Sequence, residues 1–129
     1  MKLVDTDVII WYMRGNEKAA DVLDNMSSII VSAVTYMELI QGMRNKAELS
    51  SLETTLTTWK ATIFPITEEI SDSAVSLVKQ YFHSHSLMLA DALIAATALH
   101  YQLPLLTGND KHYRMIADLI LEKFKIEPD

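Results

Sequence analysis

Short apolar runs of strand length alternate along this chain with longer runs that have helical periodicity. The strand-like runs fall at residues 3–4, 29–31, 62–66, 103–107 and 119–121. The helical runs fall at residues 7–13, 16–25, 32–44, 47–59, 67–82 and 87–101, with a small final helix expected after 108–110. Strands that are apolar on both faces and alternate with helices indicate a mostly parallel sheet of four to five strands, with helices on either side. The sequence therefore predicts an α/β fold.

Details of individual runs refine this prediction. Pro65 cannot donate a backbone hydrogen bond, so the run at 62–66 is expected at an edge of the sheet or to end there. The run at 32–44 is interpreted as a helix because four of its residues recur at helical spacing along one side. That side carries Val34, Met37, Ile40 and Gln41. A polar break is expected at residues 83–86.

Length and composition restrict the class of protein. The 129 residues suit one domain, residues 1–129, and half of them are apolar, so a packed core is expected. No apolar run is long enough to span a bilayer, and Asp5 and Asp7 interrupt the N-terminus where a signal peptide would be apolar. We therefore expect a cytoplasmic protein with no membrane association. The absence of cysteine excludes disulfides and thiolate metal sites.

Isolated acids are the chemical signal of the sequence. Asp5 and Asp7 follow the first strand, Glu38 is the only charged residue between 27 and 43, and Asp91 is the only formally charged one between 86 and 109. Asp110 follows the strand at 103–107. Residues just past the carboxyl ends of parallel strands converge on one edge of the sheet, so these acids are expected to face one crevice.

The electrostatic repulsion within such a cluster of carboxylates must be offset. Two carboxylates roughly 5 Å apart repel by about 3 kcal/mol at an effective dielectric constant near 20. A hard divalent cation relieves that repulsion, and oxygen ligands suit Mg²⁺ or Mn²⁺. The alternative for each acid alone is a helix cap or turn, most simply so for Asp110. The histidines, His83, His85, His100 and His112, are not spaced like a zinc site.

The order of these motifs resembles the PIN-domain ribonucleases, and within them the VapC-type toxins of toxin–antitoxin modules. The likeness covers nearly the whole chain. Its motifs are residues 5–7, Ser32 with Thr35, Glu38-Leu39 with Gly42, residues 91–96 and residues 106–110.

The resemblance implies a three-layer α/β/α fold and a Mg²⁺- or Mn²⁺-dependent endoribonuclease. It also implies a homodimer that is inhibited by a cognate antitoxin. By position, Asp5, Glu38 and Asp91 match the three acids that such enzymes place around the metal. Asp7 stands where the family often has asparagine and is expected to support the site.

The remaining site residues are expectations from their positions. The fourth acidic position could be filled by Asp110, which we count as catalytic, by Asn109, or by His112. Thr107, at a strand end, could hydrogen-bond a ligand carboxylate or a phosphate, or be a simple strand-end residue. The candidates for phosphate contacts are Arg14, Arg44, Lys46, Lys111 and Arg114. The net charge of −6 argues mildly against nucleic-acid binding by bulk electrostatics, but the acids of a metal-dependent nuclease contribute to that charge.

Three other functions compete with this one. Asp5-Thr6-Asp7 after a strand has the form used by haloacid-dehalogenase-like phosphatases, in which Asp5 would be the nucleophile. A phospho-receiver domain would need an aspartate at the end of the third strand, and residues 62–67 contain none. A catalytically inactive PIN-like binding module is the third alternative, and the three matching acids argue against it.

Overall fold

The computed structural model describes residues 1–83 and 87–126, and it confirms the α/β alternation. The strands are β1 (Lys2–Val4), β2 (Ile29–Ser32), β3 (Thr62–Phe64), β4 (Leu105–Thr107) and β5 (Leu121–Lys123). The helices are α1 (Thr6–Met13), α2 (Glu17–Leu23), α3 (Ala33–Gly42), α4 (Lys46–Trp59), α5 (Glu68–Tyr81) and α6 (Leu89–Tyr101), followed by a 3₁₀ helix at Asp110–His112. Of the polar break expected at 83–86, Ser84, His85 and Ser86 lie outside the described residues.

The five strands form one sheet in the order β3-β2-β1-β4-β5, and every adjacent pair is parallel. At its centre, Leu3 pairs with Ile30 on one side and with Leu105 on the other. β3 lies at one edge and ends before Pro65, as expected. The last strand begins at Leu121 rather than at residue 119, because the residues that pair with β4 lie further along the chain.

Apolar side chains that point alternately to the two faces of the sheet form a hydrophobic core on each face. Leu3, Ile30 and Leu105 pack in the cluster that contains the buried residues of α5 and α6. Val4 and Leu106, their neighbours in sequence, pack in the cluster formed with α1, α2 and α4. Successive side chains on a strand point to opposite faces, so a strand buried on both sides is apolar throughout.

Two helices begin directly where a central strand ends. The Asp5 side chain accepts a hydrogen bond from the Thr6 N–H at the start of α1. The Ser32 hydroxyl accepts one from the Val34 N–H at the start of α3. These caps satisfy N–H groups that have no partner inside the helix. They also place the first turns of α1 and α3 side by side at the carboxyl edge of the sheet.

The side of α3 that carries its apolar periodicity is only partly buried, since Val34 packs against the core but the later positions on that side are exposed. Met37 is 50% exposed, Ile40 is 37% exposed, and the inward positions are Thr35 and Leu39. The buried face includes a threonine because its hydroxyl hydrogen-bonds Thr6 on α1, and apolar periodicity cannot register that contact. Among the described residues, no helix is long and apolar enough to cross a membrane.

Candidate active site

Asp5 ends β1 at the centre of the sheet and is only 5% exposed. Its Oδ1 accepts the Thr6 N–H at 2.8 Å, and its Oδ2 accepts the Thr107 hydroxyl at 2.8 Å. Thr107 is fully buried at the end of the neighbouring strand β4. Of the two roles open to Thr107, the structure therefore shows the contact with a carboxylate.

A buried tyrosine joins Asp5 to Asp91. The Tyr113 hydroxyl donates to Asp91 Oδ1 at 3.2 Å, and it lies close enough to the Asp5 carboxyl for the two groups to interact. Asp91 lies in the first turn of α6, where its Oδ2 accepts the N–H of Met88 at 3.2 Å. The carboxylates of Asp5 and Asp91, which are 86 positions apart in the sequence, therefore meet on one phenol.

Glu38 reaches the same edge of the sheet through Thr6. The Thr6 hydroxyl donates to Glu38 Oε1 at 2.7 Å and shares a further hydrogen bond, 3.0 Å long, with the hydroxyl of Thr35. Thr6 directly follows Asp5, so two buried threonines tie the acid of α3 to the end of β1. The structure thus places Asp5, Glu38 and Asp91 in one hydrogen-bonded neighbourhood.

Asp7 supports the site from the first turn of α1. Its Oδ2 accepts the Gly108 N–H at 2.9 Å, which fastens the loop after β4 to this helix. Its Oδ1 is buried and has no hydrogen-bond partner among the described residues. A buried carboxylate oxygen in that condition is an acceptor available to a ligand.

The three candidates for the fourth acidic position all lie in the loop after β4, and their side chains have different contacts. Asn109 is exposed, and its backbone N–H donates to the Thr107 hydroxyl at 3.0 Å. Asp110 lies 3.5 Å from Lys123 on β5, so its carboxylate is paired at the side of the site. His112 Nδ1 lies 3.2 Å from Asp91 Oδ2. Among these three residues, His112 is the one whose side chain contacts an acid of the site.

Burial determines the protonation behaviour of the central acids. Desolvation, and then the charge of Asp7, raises the pKa of Asp5 from 3.8 to about 7, against the hydrogen bonds from Thr107 and Thr6. Burial also raises the pKa of Asp7, with the Gly108 N–H opposing it. Burial and the two neighbouring carboxylates raise the pKa of Tyr113, so its hydroxyl stays a proton donor.

The donor set suits a hard divalent cation. Among the described residues, no three His, Asp or Glu side chains are already grouped closely enough to enclose a metal. The acids nevertheless offer only carboxylate oxygens, and the unpartnered Oδ1 of Asp7 is buried beside them. Oxygen ligands of this kind match Mg²⁺ or Mn²⁺. The chemistry of the residues therefore fits the expected metal.

Two of the five basic candidates lie close to this site. A groove of about 590 Å³ between α1, α3 and α4 is lined by Glu38 together with Arg14 and Arg44. Arg14 stands over the Trp11 ring, 5.7 Å from its centroid. Arg44 is paired with Glu48 at 2.7 Å. Lys46, Lys111 and Arg114 are exposed and are not part of the lining of this groove.

Sequence reasoning missed Tyr113 and gave Thr6 and Gly108 no function of their own. Tyr113 lies within a short polar loop, where a lone aromatic normally indicates only core packing. Thr6 entered the predictions only as the middle residue of the motif at residues 5–7, and Gly108 only as part of the turn before the final helix. Their roles depend on contacts 22 to 108 positions away in the chain, and no local pattern reports those contacts.

Comparison with known proteins identifies the family of this chain. The model of the PIN domain family matches residues 2–118. Ribonuclease VapC19 of Mycobacterium tuberculosis is 35% identical over 124 residues, which are 92% of this chain and 97% of that protein. Ribonuclease VapC10 of the same organism is 37% identical over 123 residues, which are 92% of this chain and 90% of that protein.

Solved structures share the fold. A toxin–antitoxin complex from Klebsiella pneumoniae superposes with a TM-score of 0.78 at 28% identity, covering 93% of this chain and 96% of that one. FitAcB from Neisseria gonorrhoeae gives a TM-score of 0.73 at 26% identity, covering 94% and 96% of the two chains.

Proposed function

This chain belongs to the PIN-domain family, in its VapC-type branch, and from that premise we propose that it is a divalent-metal-dependent endoribonuclease. We propose further that it is the toxin of a toxin–antitoxin pair and acts as one domain, residues 1–129. The observation that carries the proposal is the meeting of Asp5 and Asp91 on the Tyr113 hydroxyl, with Glu38 tied in through Thr6. The nearly full-length likeness to two ribonucleases supports the same activity.

In this proposal Asp5 and Asp91 hold Mg²⁺ or Mn²⁺, and Glu38 completes the acidic set. When bound, such an ion would lower the pKa of a water molecule and orient that water for in-line attack. It would also stabilise the negative charge at the phosphate. Thr107 and the Thr6 N–H orient Asp5. Asp110, or His112 beside Asp91, assists at the fourth position.

The RNA strand in this proposal enters along the groove beside Glu38. Arg14 and Arg44 line that groove and would contact phosphates there. Lys46, Lys111 and Arg114 would extend the contact from the exposed surface. The proposed partners are therefore RNA, a cognate antitoxin protein and a second copy of this chain. The proposed role for the antitoxin follows from the toxin–antitoxin complex among the similar structures.

Replacement of the central acids tests the activity. We expect Asp5→Asn and Asp91→Asn each to reduce Mg²⁺- or Mn²⁺-dependent cleavage of single-stranded RNA by at least about 100-fold, as expected when a ligand of a catalytic metal is lost. The matched control is Asp72→Asn, which removes an exposed carboxylate on α5 and should leave cleavage unchanged. Circular dichroism and thermal melting establish that each variant is folded.

Two results would contradict the proposal. Folded Asp5 and Asp91 variants that cleave RNA like the wild type would exclude these acids from catalysis. A wild type that cleaves no RNA under any divalent cation would favour the inactive binding module. Release of phosphate from small phosphomonoesters, lost only on replacement of Asp5, would favour the haloacid-dehalogenase-like phosphatase, although the family match argues against it.

A further inference from the structure

Tyr113 is the largest of the fully buried side chains, with 0% of its surface exposed. Its ring packs in the core cluster on the α5–α6 face of the sheet. Its backbone is fixed at both ends, since its N–H donates to the Asp110 carbonyl at 3.0 Å and its carbonyl accepts the Ile116 N–H at 2.9 Å. The loop after β4 thus delivers one rigid phenol into the acidic site from inside the core.

The hydroxyl of this phenol requires an explanation. Burying a hydroxyl without a hydrogen bond is unfavourable, and a phenylalanine would fill the same core space without that penalty. Here the hydroxyl donates to Asp91 at 3.2 Å and interacts with the neighbouring Asp5 carboxyl. A phenol carries one proton, so it cannot donate fully to both acids at once.

Each of the two acids also has hydrogen-bond partners of its own, which orient its carboxylate separately from the other. Asp5 is held by the Thr6 N–H and the Thr107 hydroxyl. Asp91 is held by the Met88 N–H and lies beside His112. Tyr113 is the contact that the two acids share, and it therefore relates the position of one carboxylate to that of the other.

We propose that Tyr113 is a positioning residue, whose hydroxyl holds the Asp5 and Asp91 carboxylates in the relative orientation from which both bind one divalent cation. This role presupposes the metal-dependent nuclease proposed above. Hydrogen-bond partners of metal ligands fix ligand orientation, and their loss typically weakens metal binding by 10- to 100-fold. The ring of Tyr113 packs in the hydrophobic core, whereas its hydroxyl contacts the acids of the site.

Calorimetric titration of the metal-free protein with Mn²⁺, without RNA, tests this role. We expect Tyr113→Phe to raise the dissociation constant for Mn²⁺ by about 10-fold or more. The matched control is Tyr81→Phe, which removes another tyrosine hydroxyl, bonded at 3.0 Å to the Met115 carbonyl. That control should bind Mn²⁺ within about two-fold of the wild type, because the hydrogen bond that it removes is made to a backbone carbonyl. An unchanged or tighter affinity for Tyr113→Phe would overturn the proposal.

The titration separates the two proposals. Wild-type binding of Mn²⁺ that Asp91→Asn abolishes supports the metal site whatever Tyr113→Phe does. Absence of wild-type binding would overturn the metal site and the role of Tyr113 together. Equal binding by the wild type and Tyr113→Phe would overturn the role of Tyr113 alone.

A second measurement needs no variant and applies even if Tyr113→Phe does not fold. In wild-type protein labelled with ¹³C-tyrosine, Mg²⁺ should shift the Cζ resonance of Tyr113, because cation binding changes the charge on both of its acceptors. The Tyr81 resonance should not move. A Tyr113 resonance that is unaffected by saturating Mg²⁺ would overturn the proposal.

Discussion

Gly108 shows how closely the site is packed at the scale of single residues. A Cβ atom at this position would lie 2.6 Å from Asp7 Oδ2, the oxygen that accepts the Gly108 N–H. The glycine is required by this contact, because the loop after β4 approaches α1 too closely for any side chain. Asp7 thus holds the loop that carries Thr107 and Tyr113.

Replacing this glycine should damage both stability and activity. We expect Gly108→Ala to lower the free energy of unfolding by about 1–3 kcal/mol, since it displaces a buried, hydrogen-bonded carboxylate. RNA cleavage should fall as well, because Thr107 shifts with the loop. Gly42→Ala is the control, since a Cβ there meets nothing within 4 Å. Urea unfolding and a cleavage assay measure both effects; wild-type values for Gly108→Ala would contradict the contact.

Asp5 should make the stability of the metal-free protein depend on pH. Its pKa is raised from 3.8 to about 7 on folding, so the folded state binds the proton more tightly than the unfolded state between these values. The stabilisation is fully present below about pH 4 and is lost as the pH rises towards 7. Three pKa units correspond to a loss on the order of 4 kcal/mol. The raised pKa of Asp7 acts in the same direction.

Urea unfolding in EDTA between pH 4.5 and 7.5 measures this dependence. We expect wild-type stability to fall across that range and Asp5→Asn to show a much weaker fall, because an amide does not titrate. A variant with the wild-type slope would show that other groups dominate. Asp72→Asn serves again as the control, since it changes an exposed acid on α5.

At the scale of the elements, prediction from sequence succeeded where one local signal was sufficient. The strand at 29–31 is β-branched and buried on both faces, and the caps of α1 and α3 follow from Asp5 and Ser32. The two helices were expected to begin at residues 7 and 32, each within one residue of where they begin, whereas the capping role of Ser32 was not predicted. Such local signals place each element, and the parallel order then brings the acids to one edge.

Prediction was incomplete where a distant partner decides the structure. The buried face of α3 is set by Thr35 meeting Thr6, and its exposed Met37 and Ile40 mislead an apolar count. β5 is a three-residue edge strand whose start depends on pairing with β4. Tyr113 entered no prediction for the same reason, because its role is defined by acids 22 and 108 positions earlier in the chain.

At the scale of the whole molecule, an acidic protein must bind an acidic polymer. The chain carries a net charge of −6, and its central acids repel phosphate until a cation is bound. Favourable charge must therefore be local. In the proposed function the groove beside Glu38 supplies it through Arg14. Arg44 is largely neutralised, since Glu48 accepts hydrogen bonds from its Nε at 3.0 Å and its Nη2 at 2.7 Å.

The salt dependence of RNA binding tests this local contribution. Each phosphate contact on a single strand contributes about 0.7 to the slope of log affinity against log salt concentration. We expect Arg14→Gln to reduce the slope by about 0.7 and Arg44→Gln to reduce it by less. Lys79→Gln, on α5 across the sheet, is the control and should leave the slope unchanged.

Fluorescence anisotropy with a single-stranded RNA, in an Asp91→Asn background that prevents cleavage, gives the slope between 50 and 200 mM NaCl, roughly the range in which such contacts dominate. Equal slopes for Arg14→Gln and Lys79→Gln would place the RNA outside this groove, because a groove-bound strand must release counterions at Arg14.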